Sequence, residues 1–163
     1  LVDTAATGSG LDDLYSRPGF LLRRGHQIAV AIFLEETRAL EVTSTQYGAL
    51  YVIQRVPGLD QIGLARLLGI DRSTSALVLT KLETSGWITR QTAAGDRRRK
   101  MLVLTPEGAQ LLQRLEAPAQ RIRERLLEVF SPDEQAQFLA LMARFTSAFN
   151  GQIRTPILPP EGG

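Results

Sequence analysis

Four consecutive cations, Arg97-Arg98-Arg99-Lys100, follow the turn-forming stretch Ala93-Ala94-Gly95-Asp96. Fixed positive charge of this density can neutralise phosphates, and arginine in particular suits a narrow, electronegative minor groove. Arg98 is expected in such a groove, with Arg97, Arg99 and Lys100 on phosphates. Asp96 is expected to hold an arginine or the turn backbone. A cationic run taken alone is usually a solvated loop, but a second cluster lies upstream of it. Arg72, Ser73, Thr74 and Ser75 place short hydrogen-bonding groups at a predicted helix start, and Leu77, Thr80 and Lys81 follow on the same helix. Hydroxyls, a guanidinium and backbone N–H donors suit phosphates and base edges. Simple capping, for which Asp71 or Ser73 suffices, is the plainer use of that helix start. Ser73, Leu77 and Lys81 share one face at i, i+4, i+8 spacing. There Leu77 either meets a thymine methyl or belongs to the edge of the core beside Val78 and Leu82.

Charge is unevenly spread. The net charge is only +2, yet residues 71–100 hold seven Arg/Lys against three Asp/Glu. Cations concentrated on one unit are the footprint of a phosphate-binding surface. Other chemistries are poorly provided for. With no Cys, disulfides, thiolate metal sites and a Cys nucleophile are excluded, and the single His26 removes most His-based metal sites and conventional triads. No paired carboxylates at a plausible spacing, nucleophile elbow, phosphate-cradling Gly loop or metal constellation is visible, so no catalytic residue, metal or cofactor is expected. No apolar run is long enough to span a bilayer and no signal-peptide pattern opens the sequence. A cytoplasmic location without a membrane partner is expected. The first residue is not Met, so a trimmed chain is expected.

The elements that must position these residues can be read from caps and periodicity. Asp60–Leu68 is predicted as a short amphipathic helix stopped by Gly69. Asp71 then caps a second helix over Arg72–Ser85, closed by Gly86. A strand over Trp87–Thr92, the turn and a return strand complete a helix-turn-helix with a cationic wing. Upstream, Thr43-Ser44-Thr45-Gln46 fits a capping box for a helix carrying Tyr47, Leu50, Tyr51 and Ile53. Before it, a long helix is expected from Phe20 to about Leu40, apolar on more than one side. Downstream, Thr105-Pro106-Glu107 opens a long helix that Pro118 is expected to kink, and Ser131-Pro132-Asp133-Glu134 opens the last one. The expected fold is mainly α, a winged helix-turn-helix at 43–105 with helical dimerisation regions at 17–42 and 106–150. A flexible arm at 1–16 and a mobile tail at 151–163 flank it. Outer helices too long for so small a core are best buried across a two-fold axis, so a homodimer is expected.

This order of elements resembles the MarR (multiple antibiotic resistance regulator) family. Carrying the resemblance are Thr45-Gln46-Tyr47-Gly48-Ala49-Leu50, the run Leu64 to Thr74, and Leu82 to Arg90. The most specific piece is Asp96-Arg97-Arg98, similar to the family's Asp-x-Arg wing, followed by Leu102-Val103-Leu104-Thr105-Pro106-Glu107-Gly108. Many members carry a basic side chain where this chain has Leu77. The resemblance implies a dimeric regulator of palindromic double-stranded DNA, a repressor above all, with an effector pocket between the dimer helices and the reading head. The run Arg17 to Glu36, with Asp60-Gln61, looks like a branch responding to hydroxycinnamate-, hydroxybenzoate- or hydroxynicotinate-type compounds. A small aromatic or heteroaromatic carboxylate effector, tied to aromatic or nicotinate catabolism, is therefore expected. Arg23, Arg24, His26 and Gln27 are candidates to bind it, with Tyr47 and Tyr51 as an aromatic wall. Each could equally be an interface or surface residue. The competing reading is a winged helix that docks an acidic protein instead of DNA.

Overall fold

The computed structural model describes residues 10–93 and 96–158 of the chain, and the side chains of residues 93 and 96–98 lie outside that description. Its elements run α1 (Asp12–Ser16), α2 (Pro18–Glu36), a 3-10 turn (Arg38–Leu40), α3 (Ser44–Arg55), α4 (Gln61–Leu68) and α5 (Arg72–Thr84). Strands β1 (Ile88–Ala93) and β2 (Asp96–Leu104) follow, then α6 (Pro106–Leu127), α7 (Pro132–Phe149) and a 3-10 turn (Asn150–Gln152). The fold is the expected mainly α winged helix-turn-helix. No helix among the described residues is long and apolar enough to cross a membrane.

Helix starts follow the capping residues. The Thr43 hydroxyl accepts from the Gln46 N–H at 3.2 Å while the Gln46 side chain accepts from the Thr43 N–H at 3.0 Å, closing the capping box of α3. Asp60 accepts from the Gly63 N–H at 2.8 Å at the start of α4. That helix ends where Gly69 turns left-handed, at φ 62°, a conformation that costs a residue without Cβ little. The first long helix stops earlier than its apolar pattern suggests. Buried Thr37 turns its hydroxyl back to the Phe33 carbonyl at 2.7 Å, and the 3-10 turn begins there. Pro118, expected to kink α6, lies buried within its single 22-residue span.

One core sits where α3, α4, α5, β1 and α6 meet. Leu50, Leu64, Leu79, Leu82, Ile88 and Leu115 are its fully buried side chains. The two strands pair antiparallel from Ile88 opposite Leu104 to Thr92 opposite Lys100, with an irregularity just before the tip. The loop before α4 joins the sheet's edge, where the Leu102 N–H donates to the Leu59 carbonyl at 2.7 Å. At the far end of β2, Thr105 caps α6 and donates to the Gly86 carbonyl at 2.6 Å. Gly108 is needed there, because a Cβ would sit 2.0 Å from the Trp87 carbonyl oxygen.

The outer helices are a different matter. In α2 only Phe33 is buried, while Leu21, Leu22, Ile28 and Leu34 are exposed. No residue of α7 is buried, and Phe138, Leu139, Leu141, Phe145 and Phe149 all face solvent. Three ion-paired contacts hold α2 to α6: Arg121 to Glu36 at 2.7 Å, Arg125 to Glu36 at 2.8 Å and Arg125 to Glu35 at 3.0 Å. Where a mobile tail is expected from Gly151 onward, residues 151–158 instead fold back on the helix-turn-helix. Asn150 clasps Ile157 through both backbone groups, at 2.9 and 2.8 Å. The Thr155 hydroxyl donates to the Gly69 carbonyl at 2.8 Å, and the Leu158 N–H to the Arg66 carbonyl at 3.0 Å. The remainder of the expected arm and tail, residues 1–9 and 159–163, lies outside the described residues.

Candidate nucleic-acid interface

Helix α5 buries one face and offers the other. Ser75, Leu79 and Leu82 point into the core, whereas Arg72, Ser73, Leu77, Thr80 and Lys81 are exposed. Leu77 is 73% exposed, which removes the alternative of a core-edge residue. An isolated leucine this open on a charged unit has no packing role in the monomer. Ser75 is a correction to the expected set of DNA contacts. It is fully buried, its hydroxyl donating to the Arg72 carbonyl at 3.4 Å, so it cannot reach a ligand at the helix surface.

The start of α5 is also more fully occupied than a free set of N–H donors would be. Asp71 accepts from the Thr74 N–H at 2.9 Å and from the Thr74 hydroxyl at 2.7 Å, and the Ser73 hydroxyl donates to it as well. The Ser73 hydroxyl first, then the Thr74 N–H and hydroxyl, hold the Asp71 carboxyl well below the usual carboxylate range. A charged carboxylate therefore sits on the positive end of the helix. An incoming phosphate at this end must be met by a side-chain donor, Arg72 above all, because the hydroxyl protons of Ser73 and Thr74 are already given to Asp71.

The wing stands beside this helix and is tied down through both of its strands. Arg99, expected on a phosphate, is engaged within the protein: its guanidinium donates to Asp60 at 3.3 Å and to the Gly58 carbonyl at 3.1 Å. It holds the wing to the start of α4. Lys100 reaches across the sheet to the Thr92 hydroxyl at 2.7 Å and remains exposed. Arg90 fixes β1 to α5 through Glu83 at 3.0 Å. Asp96, Arg97 and Arg98, the expected minor-groove group, have side chains outside the description.

Candidate effector residues fall into two sets. Arg23 and Arg24 both donate to the Gln27 side-chain oxygen, at 3.3 and 2.9 Å, and Arg23 also lies 4.8 Å over the Phe20 ring. These three and His26 are exposed on α2. Tyr47 and Tyr51 form the second set, their rings 6.0 Å apart, with Phe33 6.1 Å from Tyr47. Burial pushes the Tyr47 phenol above its ordinary value, with Tyr51 and Glu116 adding to the effect and Arg55 opposing it. Arg55, which sequence reasoning did not single out, lies 3.5 Å over the Tyr51 ring. Its position four residues after Tyr51 was the available signal. Ten helical residues separate Arg23 from Phe33, about 15 Å along α2, so the chain does not gather the two sets into one pocket.

A second missed feature borders α5. Between α4, the start of α5 and the folded-back segment runs a groove of 480 Å³ whose lining includes Gln61, Arg66, Arg72 and Arg154. Nothing in the Pro- and Gly-rich composition of the tail points to it.

Comparison with known proteins agrees with this geometry. The MarR family profile matches residues 40–99. A transcriptional regulatory protein assigned to the hcr operon of Thauera aromatica is 39% identical over 127 residues, 77% of this chain and 76% of that protein. The PcaV transcriptional regulator of Streptomyces coelicolor, solved with its natural ligand, is 34% identical with a TM-score of 0.74. The match covers 83% of this chain and 96% of that one. The transcriptional repressor CouR, solved on a 23-mer DNA duplex, is 28% identical with a TM-score of 0.78, again over 83% and 96%. The winged helix-turn-helix and these likenesses converge: the chain belongs to the MarR family, as a DNA-binding transcriptional regulator and not an enzyme.

Proposed function

We propose that this regulator is a homodimeric repressor that grips a palindromic operator with two reading heads and releases it when a small aromatic or heteroaromatic acid binds. The genes under its control would serve aromatic or nicotinate-type catabolism. The observation that carries the DNA part is the strip Arg72, Ser73, Leu77, Thr80 and Lys81, open to solvent on a helix whose other face is core. Such a strip can enter a major groove without disturbing the fold. Leu77 supplies an apolar contact of the kind that reads a thymine methyl. Arg97, Arg98 and Lys100 of the wing strand would add phosphate and minor-groove contacts, with Asp96 assigned to an arginine or the turn backbone.

Support for repression comes from the CouR relative, a repressor solved on DNA. Support for an effector comes from the PcaV relative, solved with its natural ligand. In this chain Tyr47 and Tyr51, backed by Phe33 and faced by Arg55, offer aromatic surface beside a cation, the chemistry that recognises an aromatic carboxylate. Arg23, Arg24, His26 and Gln27 lie on the exposed α2 surface that a second copy would approach. Release requires only that the acid favour a head spacing that misfits the operator. A coupling of about 1–3 kcal/mol changes affinity roughly 5–150-fold.

Fluorescence anisotropy on the DNA upstream of its own gene, over a salt series and with a panel of hydroxylated aromatic acids, tests this directly. The expected result is tight, steeply salt-dependent binding released by one acid. Binding that no acid alters would remove the effector class, and salt-insensitive binding or none there and in a genome-wide selection would favour a protein-docking winged helix.

A further inference from the structure

We propose that the C-terminal segment 150–158 is part of the DNA-binding surface, with Arg154, Arg66 and Arg72 receiving a backbone phosphate beside the recognition helix. The inference rests on the operator-binding reading above.

Three observations meet at this place. The segment is anchored to the helix-turn-helix at its turn, by Thr155 on the Gly69 carbonyl at 2.8 Å and Leu158 on the Arg66 carbonyl at 3.0 Å. Gly69 is what lets it come so close: a Cβ there would lie 2.9 Å from the Ile157 side chain and 3.2 Å from the Thr155 carbonyl oxygen. The groove left between the segment and the two helices is lined by Arg66, Arg72 and Arg154, with Asp71 the acidic residue among its lining. The Asp71 carboxylate is already occupied by Ser73 and Thr74, whereas the three arginines are exposed and have no acidic partner among the ion pairs of the described residues. Arg72 belongs both to this groove and to the reading strip, so the groove adjoins the surface that faces DNA.

Three guanidiniums around an open groove call for an anion with several acceptor oxygens, and planar donors fit phosphate well. With α5 in a major groove, the nearest such groups are the phosphates of the strand that borders it. The segment thus carries Arg154 to the backbone and braces α4 against it. Ile157 and Leu158, half exposed in sequence positions that would otherwise be free tail, supply the packing that keeps it there.

The test is the salt dependence of operator binding for the full chain and for Arg154→Gln. Each phosphate neutralised on duplex DNA adds about 0.9 to the slope of log affinity against log salt. Arg154→Gln is expected to lower that slope by about one and to weaken operator and random DNA by the same factor. Arg123→Gln, which removes an exposed charge on α6 away from the groove, is expected to leave both unchanged. Thr155→Val, which removes one of the two hydrogen bonds to the helix-turn-helix but keeps the segment's charge, is expected to give part of the Arg154→Gln loss. An unchanged slope in Arg154→Gln, with the parent binding normally, overturns the inference and leaves the operator reading intact. Tighter binding in Thr155→Val would overturn it too, since the segment would then be masking the surface. A parent that shows no salt-dependent binding removes the operator reading and this inference with it.

Discussion

Ser75 and Leu77 stand two residues apart on α5 and have opposite environments, one fully buried and the other 73% exposed. The pattern that separates them is visible in the sequence. Ser75 lies four residues before Leu79 and seven before Leu82, on the face those leucines take to the core, so its hydroxyl was readable as an internal one. Leu77 was not decidable in this way, because Val78 and Leu82 place it at the margin of the same stripe. Only the packing of α3 and α4 against α5 decides which margin is open. Its exposure gives a sharp expectation. Leu77→Ala should shift stability by no more than about 0.5 kcal/mol, as surface substitutions do. Operator affinity should nevertheless fall by about 1–2 kcal/mol, with discrimination relaxed at a thymine position. Thermal melts alongside a binding-site selection check both halves; an unaltered sequence preference would place Leu77 outside the groove.

Among the elements, what local chemistry writes is legible and what distance writes is not. Thr43 with Gln46, Asp71 with Thr74, Thr105 before Pro106 and Ser131 with Glu134 each satisfy helix-end donors from within the same few residues, so the starts of α3, α5, α6 and α7 follow from sequence. Arg99 was read as a phosphate ligand because nothing local shows that Asp60 and the Gly58 carbonyl come to meet it. The segment after α7 escaped for the same reason. Its partners, Arg66 and Gly69, lie in another element. The joint between α2 and α6 is likewise long-range, and it carries a pH signature. Arg121 and Arg125 hydrogen-bond the Glu36 carboxyl and hold it below its ordinary value, against a smaller opposing effect of burial. A carboxyl depressed in the folded state stabilises fully above its unfolded pKa, about 4.3, and loses that contribution as pH falls through the folded value. Melting temperature measured from neutral pH downward should therefore drop on the acid side. Glu36→Gln should be less stable near neutrality and lose less on acidification, its curve approaching that of the parent at low pH. Two parallel curves would show that the ion pairs contribute nothing to folding.

At the scale of the molecule, the compact core and the outer helices obey different rules. The core around Leu50, Leu64, Leu79 and Leu115 closes within one chain. Helix α7 does not: it is 18 residues long, buries none of them and keeps five large apolar side chains open. A helix of that length is marginal in water when its apolar face is unpartnered. The exposed leucines and isoleucine of α2, with Leu14 and Tyr15 of α1, add to the apolar surface left open, and extended apolar surface marks an interaction site. A second copy is the partner that symmetry makes simplest, because one self-complementary patch serves both chains. It would also place two α5 helices at a fixed separation, about 34–36 Å for half-sites one turn apart. The expected outcome is a dimer at micromolar concentration by sedimentation, broken by the paired change Leu141→Glu and Phe145→Glu. Since neither residue is in the core, the winged unit should stay folded by circular dichroism. The resulting monomer should bind a half-site weakly and no longer distinguish correctly spaced half-sites from half-sites shifted by five base pairs. If it kept that discrimination, the spacing would be set inside one chain, and the two-headed mechanism of release would have to be abandoned.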